Sequence, residues 1–239
     1  MNKKLLEFTQ SETKAKQFRH DYPISEESRE KLLQKVYPDF AKYIFHRRYS
    51  TNFPLLEEFM NEHHIREEKK ETLEHNMFWW QVLYEARKNP ENNAIEDYIE
   101  KDPLKENLMT SWLREWKKAV PKFYYVGYKY NDRILVMVDI LTQETLDVIV
   151  YDPTAIPSEK GEIVMGTLIP IGDALYFPII DFYHFDFAAR EDLAGNLTHF
   201  YNKYLETSTL HEAFIHVLSA ALQIERINFL ENQNTSYKN

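Results

Sequence analysis

The chain has 239 residues, enough for one large domain or two small ones with a sizeable core. Apolar types make up 44% and aromatics 15%, which favours packing over disorder, while five glycines leave little for flexible linkers or glycine-rich phosphate loops. The absence of cysteine excludes disulfides, iron–sulfur clusters, thiolate zinc sites and cysteine nucleophiles together.

The net charge of −9 is uneven: residues 1–120 carry 21 Lys/Arg against 22 Asp/Glu, and residues 121–239 carry 8 against 16. The hydrophobic period changes at the same place, near Pro121. Met1 to Glu7 lack the apolar stretch of a signal peptide, and no apolar run approaches the ~20 residues of a membrane span. The expectation is a soluble cytoplasmic protein with no membrane partner.

Residues 1–120 read as helical. Ser25 is placed to cap a helix, with Glu26 and Glu27 suited to its positive end. Leu32, Leu33, Val36, Tyr37, Phe40, Tyr43 and Ile44 continue it at helical spacing, and Pro38 predicts a kink or a new start. Leu73, Met77, Trp80 and Tyr84 fall on one stripe, widened by Trp79, Leu83 and Ala86, so Trp80 is expected in the core. Asn89-Pro90 and Asp102-Pro103 each read as a helix stop followed by a start. A last helix carries Leu104, Leu108, Trp112, Leu113 and Trp116.

Residues 121–183 read as strands at about 122–129, 133–140, 145–151, 162–169 and 174–180. Tyr130-Asn131-Asp132 is the turn of a hairpin between the first two. Five short antiparallel strands predict a small closed or half-closed barrel. Residues 184–230 return to helix. Leu193, Leu197, Phe200, Tyr201, Tyr204 and Leu205 form one stripe, and a second helix begins at Thr209-Leu210-His211-Glu212, which has capping-box spacing. The polar tail 231–239 is expected to fray.

Several histidines invite a search for chemistry. His63 and His64, with His75 further on, are adjacent and point ~100° apart on a helix, so a solvated face or turn explains them better than a metal. His211 and His216 are five apart, not the four that puts two ligands on one helical face, and Glu212 already has a capping role. His184 and Asp186 follow the last strand, with Asp181 close by. This cluster could hold a cation or act as an acid–base pair, with His199 as a possible addition. The bland alternative has Asp186 capping the next helix and His184 packed beneath it. Gly161 to Thr167 has phosphate-loop spacing but lacks the lysine and lies inside a strand pattern. Tyr124, Tyr125, Tyr128 and Tyr130 could stack on bases. However, residues 131–192 carry three basic against twelve acidic side chains, which repels phosphate, and the His46-Arg47-Arg48-Tyr49 cluster is short.

Phe78-Trp79-Trp80 on one helix and Trp112/Trp116 on the next precede a strand ending Asp139-Ile140-Leu141-Thr142-Gln143-Glu144. A loop and Gly161-Glu162 through Leu168-Ile169-Pro170-Ile171-Gly172 follow. Over about residues 77–181 this combination resembles the N-terminal region of bacterial SEC-C motif-containing proteins, a region without assigned activity. Gln143, Glu162 and Thr167 stand where that family has glycine, aspartate and arginine, and its terminal zinc-binding cysteines are absent. The resemblance therefore implies an architecture and no site residue.

The resulting expectation is an α+β protein: a helical part to residue 120, a five-stranded antiparallel barrel-like sheet at 121–183, and two C-terminal helices at 184–230. No catalytic residue, metal site or cofactor is assigned. The expected role is a non-catalytic interaction or regulatory protein whose partner is another protein. The alternatives are a metal-assisted hydrolase using His184, Asp186 and Asp181, and a single-stranded nucleic-acid binder.

Overall fold

The computed structural model describes residues 17–101 and 106–236. Helix α1 (Glu26–Lys31) starts at Ser25, whose hydroxyl oxygen accepts the Ser28 amide at 3.2 Å, with Glu26 and Glu27 in the first turn. It passes through a π-helical turn, Leu32–Val36, directly into α2 (Tyr37–Glu62). A proline lacks the N–H that closes the helical ladder, and its ring crowds the carbonyl four residues back. The widened turn lies just ahead of Pro38, where that conflict falls, so the helix bulges there instead of restarting.

Helix α3 (Glu67–Lys88) buries Leu73, Asn76, Met77, Phe78, Trp79, Val82, Leu83 and Ala86. Trp80 is only half-buried, so the fully covered indole is the neighbouring Trp79, one ~100° step around the helix. Helix α4 (Ala94–Lys101) does not begin at Pro90. Asn93 caps it, its Oδ1 accepting the amides of Ile95 and Glu96 at 3.0 and 3.2 Å. The expected break at Asp102-Pro103, and Leu104, lie outside the described residues. Helix α5 (Asn107–Glu115) runs into a 3-10 turn, Trp116–Lys118.

Among the described residues the sheet has seven strands, not five: β1 (Lys122–Asn131), β2 (Ile134–Asp139), β3 (Thr145–Ile149), β4 (Ile163–Gly166), β5 (Leu168–Pro170), β6 (Leu175–Pro178) and β7 (Tyr183–His184). Their order is β5-β6-β3-β2-β1-β4-β7. The expected fourth strand splits at Thr167. Phe182 lies over Gly166, where an added Cβ would come within 2.7 Å of the ring. The chain leaves the edge shared with β1 and rejoins at the other end of the sheet, where β5 pairs with β6. Strands one residue apart in sequence thus sit near opposite ends of the sheet, which must curl to allow it. The sheet is also not wholly antiparallel, since β6 returns beside β3 in parallel, with Asp147 opposite Leu175.

Helix α6 (Arg190–Leu205) and helix α7 (Leu210–Ser236) close the fold. Thr209 and Glu212 form the expected reciprocal cap, the Glu212 carboxylate accepting the Thr209 amide at 3.1 Å. α7 continues to Ser236, beyond the fraying expected from Glu231. The described residues include no helix long and apolar enough to cross a membrane.

Two apolar clusters hold the molecule together. Tyr124, Val126, Leu135, Met137, Val148, Val164 and Phe182 fill the curl of the sheet. A larger cluster draws on helices and sheet alike, from Phe18 to Leu222. At its centre Trp116 lies 5.1 Å from Phe40, 5.6 Å from Trp79 and 5.4 Å from Trp112, ring centre to ring centre. The Trp112 indole N–H donates to the Pro170 carbonyl at 2.8 Å, tying α5 to the sheet.

Candidate functional site

His184, Asp186 and Asp181 are near one another in sequence, but each faces a different environment. The His184 Nδ1–H donates to Glu162 Oε1 at 2.9 Å, and its Nε2 is buried without a hydrogen-bond partner among the described residues. Asp181 is turned to the backbone and accepts the amides of Ile156 and Phe182, each at 2.9 Å. Burial raises its carboxyl above the ordinary value, and the two amides with the nearby His184 offset only part of that.

Asp186 occupies the N-cap position of the 3-10 turn Phe187–Ala189, but its carboxylate makes no capping bond. It pairs with Arg66 and with Lys69 instead. Lys69 also donates to the His184 carbonyl at 2.7 Å and pairs with Glu225 of α7. Glu225, 6% exposed, accepts the Tyr183 hydroxyl and the Asp186 amide, both at 2.7 Å. Burial alone would raise the Asp186 carboxyl. The hydrogen bonds and charges of Lys69 and Arg66 outweigh it and hold the group below the usual range. This network links α3, β7 and α7 around the half-buried Lys69.

His199 does not join it: the residue is exposed on α6, its ring beside Phe200. Among the described residues no three His, Asp or Glu side chains are grouped to hold a metal ion.

The other histidines separate in the same way. His63 is buried, not solvated: it stacks on Phe59 at 4.2 Å, donates from Nδ1 to the Phe59 carbonyl at 2.8 Å and accepts Ser219 at Nε2. His64 is exposed and turns the chain at the end of α2 with φ 51°. His211 is 1% exposed and neither ring nitrogen has a partner among the described residues, whereas His216 is exposed against Tyr204. Of the tyrosines considered for stacking, Tyr124 points into the curl of the sheet. Tyr125, Tyr128 and Tyr130 are exposed, beside a Lys129 that is paired with Asp132 and Glu159.

A different surface stands out by its charge. Lys31, Lys35, Asp39, Lys42, Tyr43, His46 and Arg47 recur every three or four residues along the helix from α1 through α2 and so share a face. Tyr98 and Lys101 of α4, with Glu106 and Met109 at α5, form the opposite wall of an open cleft of about 900 Å³. Its lining carries five Lys/Arg against two acids in a protein of net charge −9. Lys31 pairs with Glu106, and Arg47 pairs at 2.9 Å with Asp97. Lys101 and Arg47 lie over the Tyr43 ring, 5.0 and 5.8 Å from its centre. Lys35 and Lys42 are exposed and have no ion-pair partner among the described residues.

Across Lys42 and His46, on the other side of α2, lies an apolar pocket of about 300 Å³ lined by Tyr37, Ala41, Phe45, Phe78, Trp79 and Ile180. The lysine spacing from α1 to α2 was present in the sequence, but the wall from α4 stands some sixty residues further along the chain. No protein-family model matches the chain, and neither does any curated protein or solved structure.

Proposed function

We propose that this protein is a non-catalytic binding or regulatory protein that recognises an acidic segment of a partner protein in the cleft along α2. The observation carrying this reading is the cluster of cations left facing solvent there, Lys35 and Lys42 above all, on a molecule that is otherwise strongly acidic. Such a local field steers an oppositely charged segment and orients it more than it adds raw affinity.

The two carboxylates that could supply chemistry beside His184 are engaged elsewhere. Asp186 is neutralised by two cations, and Asp181 is held by backbone amides. A hydrolase built on His184, Asp186 and Asp181 would have to break those contacts to gather its ligands, so that alternative is the weaker one. Nucleic acid is disfavoured because Asp39 and Glu106 interrupt the cleft and the whole chain repels a long polyanion. The likeness of residues 77–181 to the N-terminal region of SEC-C motif-containing proteins rests on the sequence motifs. It adds no site residue to this reading.

Anisotropy of a fluorescein-labelled Glu/Asp-rich peptide, followed at low and at physiological salt, tests the proposal. Binding should weaken as salt rises and fall at least ~10-fold in a Lys35→Glu/Lys42→Glu variant. No binding by the parent at low salt, or equal binding by the variant, would sink it.

A further inference from the structure

The apolar pocket between α2 and α3 has no role in the reading above, yet it shares two of its lining residues, Lys42 and His46, with the cationic cleft. The two depressions are therefore separated by one ridge of α2 side chains. Phe45 on that ridge is 40% exposed, its ring stacked on Tyr49 at 4.2 Å and set edge-on to Phe78 at 5.6 Å. Behind it, Ala41 supplies only a methyl group, and this leaves Trp79 and Ile180 as the floor. A volume of about 300 Å³ lies at the small end of ligand pockets and suits one or two bulky side chains. An exposed aromatic beside an unfilled apolar recess, with Lys42 on its rim, has the make-up of a hot spot with a polar border.

We infer that the acidic segment bound in the cleft carries a large apolar side chain, aromatic or leucine-like, which crosses the Lys42/His46 ridge and enters this pocket. The inference rests on the proposed acidic partner. Charge sets the segment over the cleft and the anchor fixes its register, a division of labour common where helical or extended peptides dock on a groove. The pocket alone would accept any greasy group. Its continuity with the lysines specifies an acidic peptide over a neutral one.

The test uses the full chain and three peptides of equal length: acidic with a central phenylalanine, acidic with alanine there, and a Gln/Asn-rich neutral peptide keeping the phenylalanine. Affinity is read by anisotropy, and Trp79 on the pocket floor adds an emission change to the readout. The acidic phenylalanine peptide should bind at least ~10-fold tighter than its alanine counterpart and alone shift tryptophan emission. Ala41→Met, which fills the recess, and Phe45→Ala, which removes a wall, should each erase that ratio while leaving the affinity of the alanine peptide unchanged. Two variants guard against one that fails to fold, and thermal melting checks both. Equal binding of the two acidic peptides overturns the anchor and leaves the cleft reading intact. Failure of both acidic peptides overturns the two together. Equal binding of the neutral phenylalanine peptide overturns the acidic anchored segment.

Discussion

His211 gives the most quantitative prediction. Its ring is almost wholly buried at the start of α7, with the Tyr84 ring 6.0 Å away and no hydrogen-bond partner for either nitrogen among the described residues. Burial first, and the charge of Arg87 second, lower its pKa from the ordinary 6.5 to about 4, against a smaller upward pull from Glu212. The first turn of a helix also disfavours a cation. Below pH 6.5 the unfolded chain takes up a proton on this residue while the folded chain does not. Stability therefore falls as pH drops from about 6.5 to about 4, by up to ~1.4 kcal/mol per pH unit and roughly 3 kcal/mol in all. Above pH 6.5 the residue is neutral in both states and contributes no slope. His211→Leu keeps a comparable volume and removes two buried nitrogens that had no partner. At pH 7 it should be neutral or stabilising by about 1–3 kcal/mol. Urea denaturation of parent and variant at half-unit steps from pH 4.5 to 7.5 checks it, with the two curves diverging as pH falls. Parallel curves would refute the reasoning, since His211 would then titrate alike in both states.

Trp79→Ala should destabilise by about 3–5 kcal/mol in chemical denaturation, as for a large aromatic lost from a core. Trp80→Ala should cost less, about 1–2 kcal/mol, because it removes a half-buried ring and one indole N–H bond to the His211 carbonyl at 3.0 Å; equal losses would contradict the burial pattern. Gly172→Ala should lower Tm, with about 1–2 kcal/mol lost from the left-handed backbone alone at φ 83°. The new Cβ would also sit 3.0 Å from Ile24 and 3.2 Å from the Tyr22 carbonyl, so an unchanged Tm would show that this turn differs in solution. Lys69→Met removes the cation that Asp186 and Glu225 share, leaving Asp186 with Arg66 alone, and should cost about 1.5–3 kcal/mol at pH 7. The Asp186 carboxyl is depressed in the parent, so the stability it gives is present above pH ~4 and lost as pH falls through its folded value. The deficit of the variant should accordingly shrink in acid, and a deficit independent of pH would count against the ion pair.

Local chemistry was legible in the sequence. Ser25 and the Thr209/Glu212 cap are read from side chains acting within three residues of themselves, and the structure has them. The hairpin turn is there too, but at Asp132-Arg133, because Tyr130 and Asn131 extend β1 and the Asn131 side chain accepts the Arg133 amide from the strand end. Mixed helix and strand was likewise readable from the change of period near Pro121. Long-range geometry was not. The strand break at Thr167 follows from Phe182 lying over Gly166, and the parallel β3–β6 pairing joins residues 28 positions apart, Asp147 and Leu175. Trp79 and Trp80 are neighbours on one broad stripe, so only packing could decide which is covered.

The turn after β2 shows a partial case. Gln143 has φ 61°, with its side-chain amide donating to the Ile140 carbonyl at 2.7 Å. The left-handed position, which favours glycine, is met here by a residue that bonds its own turn. For the candidate sites the missing information was the partner element. Arg66 and Lys69 neutralise Asp186 from the start of α3, Glu225 of α7 accepts its amide, and α4 builds the second wall of the cleft, all from elements far away in sequence.

The most direct test of the central claim is a map of where an acidic peptide lands on the full chain. In a ¹⁵N–¹H NMR titration with the acidic phenylalanine peptide, shifts should concentrate on Lys31, Lys35, Lys42, Phe45, His46, Tyr98 and Lys101, and fade as salt is raised. Shifts centred on the exposed Tyr125, Tyr128 and Tyr130 face, or on His184 and Asp181, or no shifts at any salt, would contradict it.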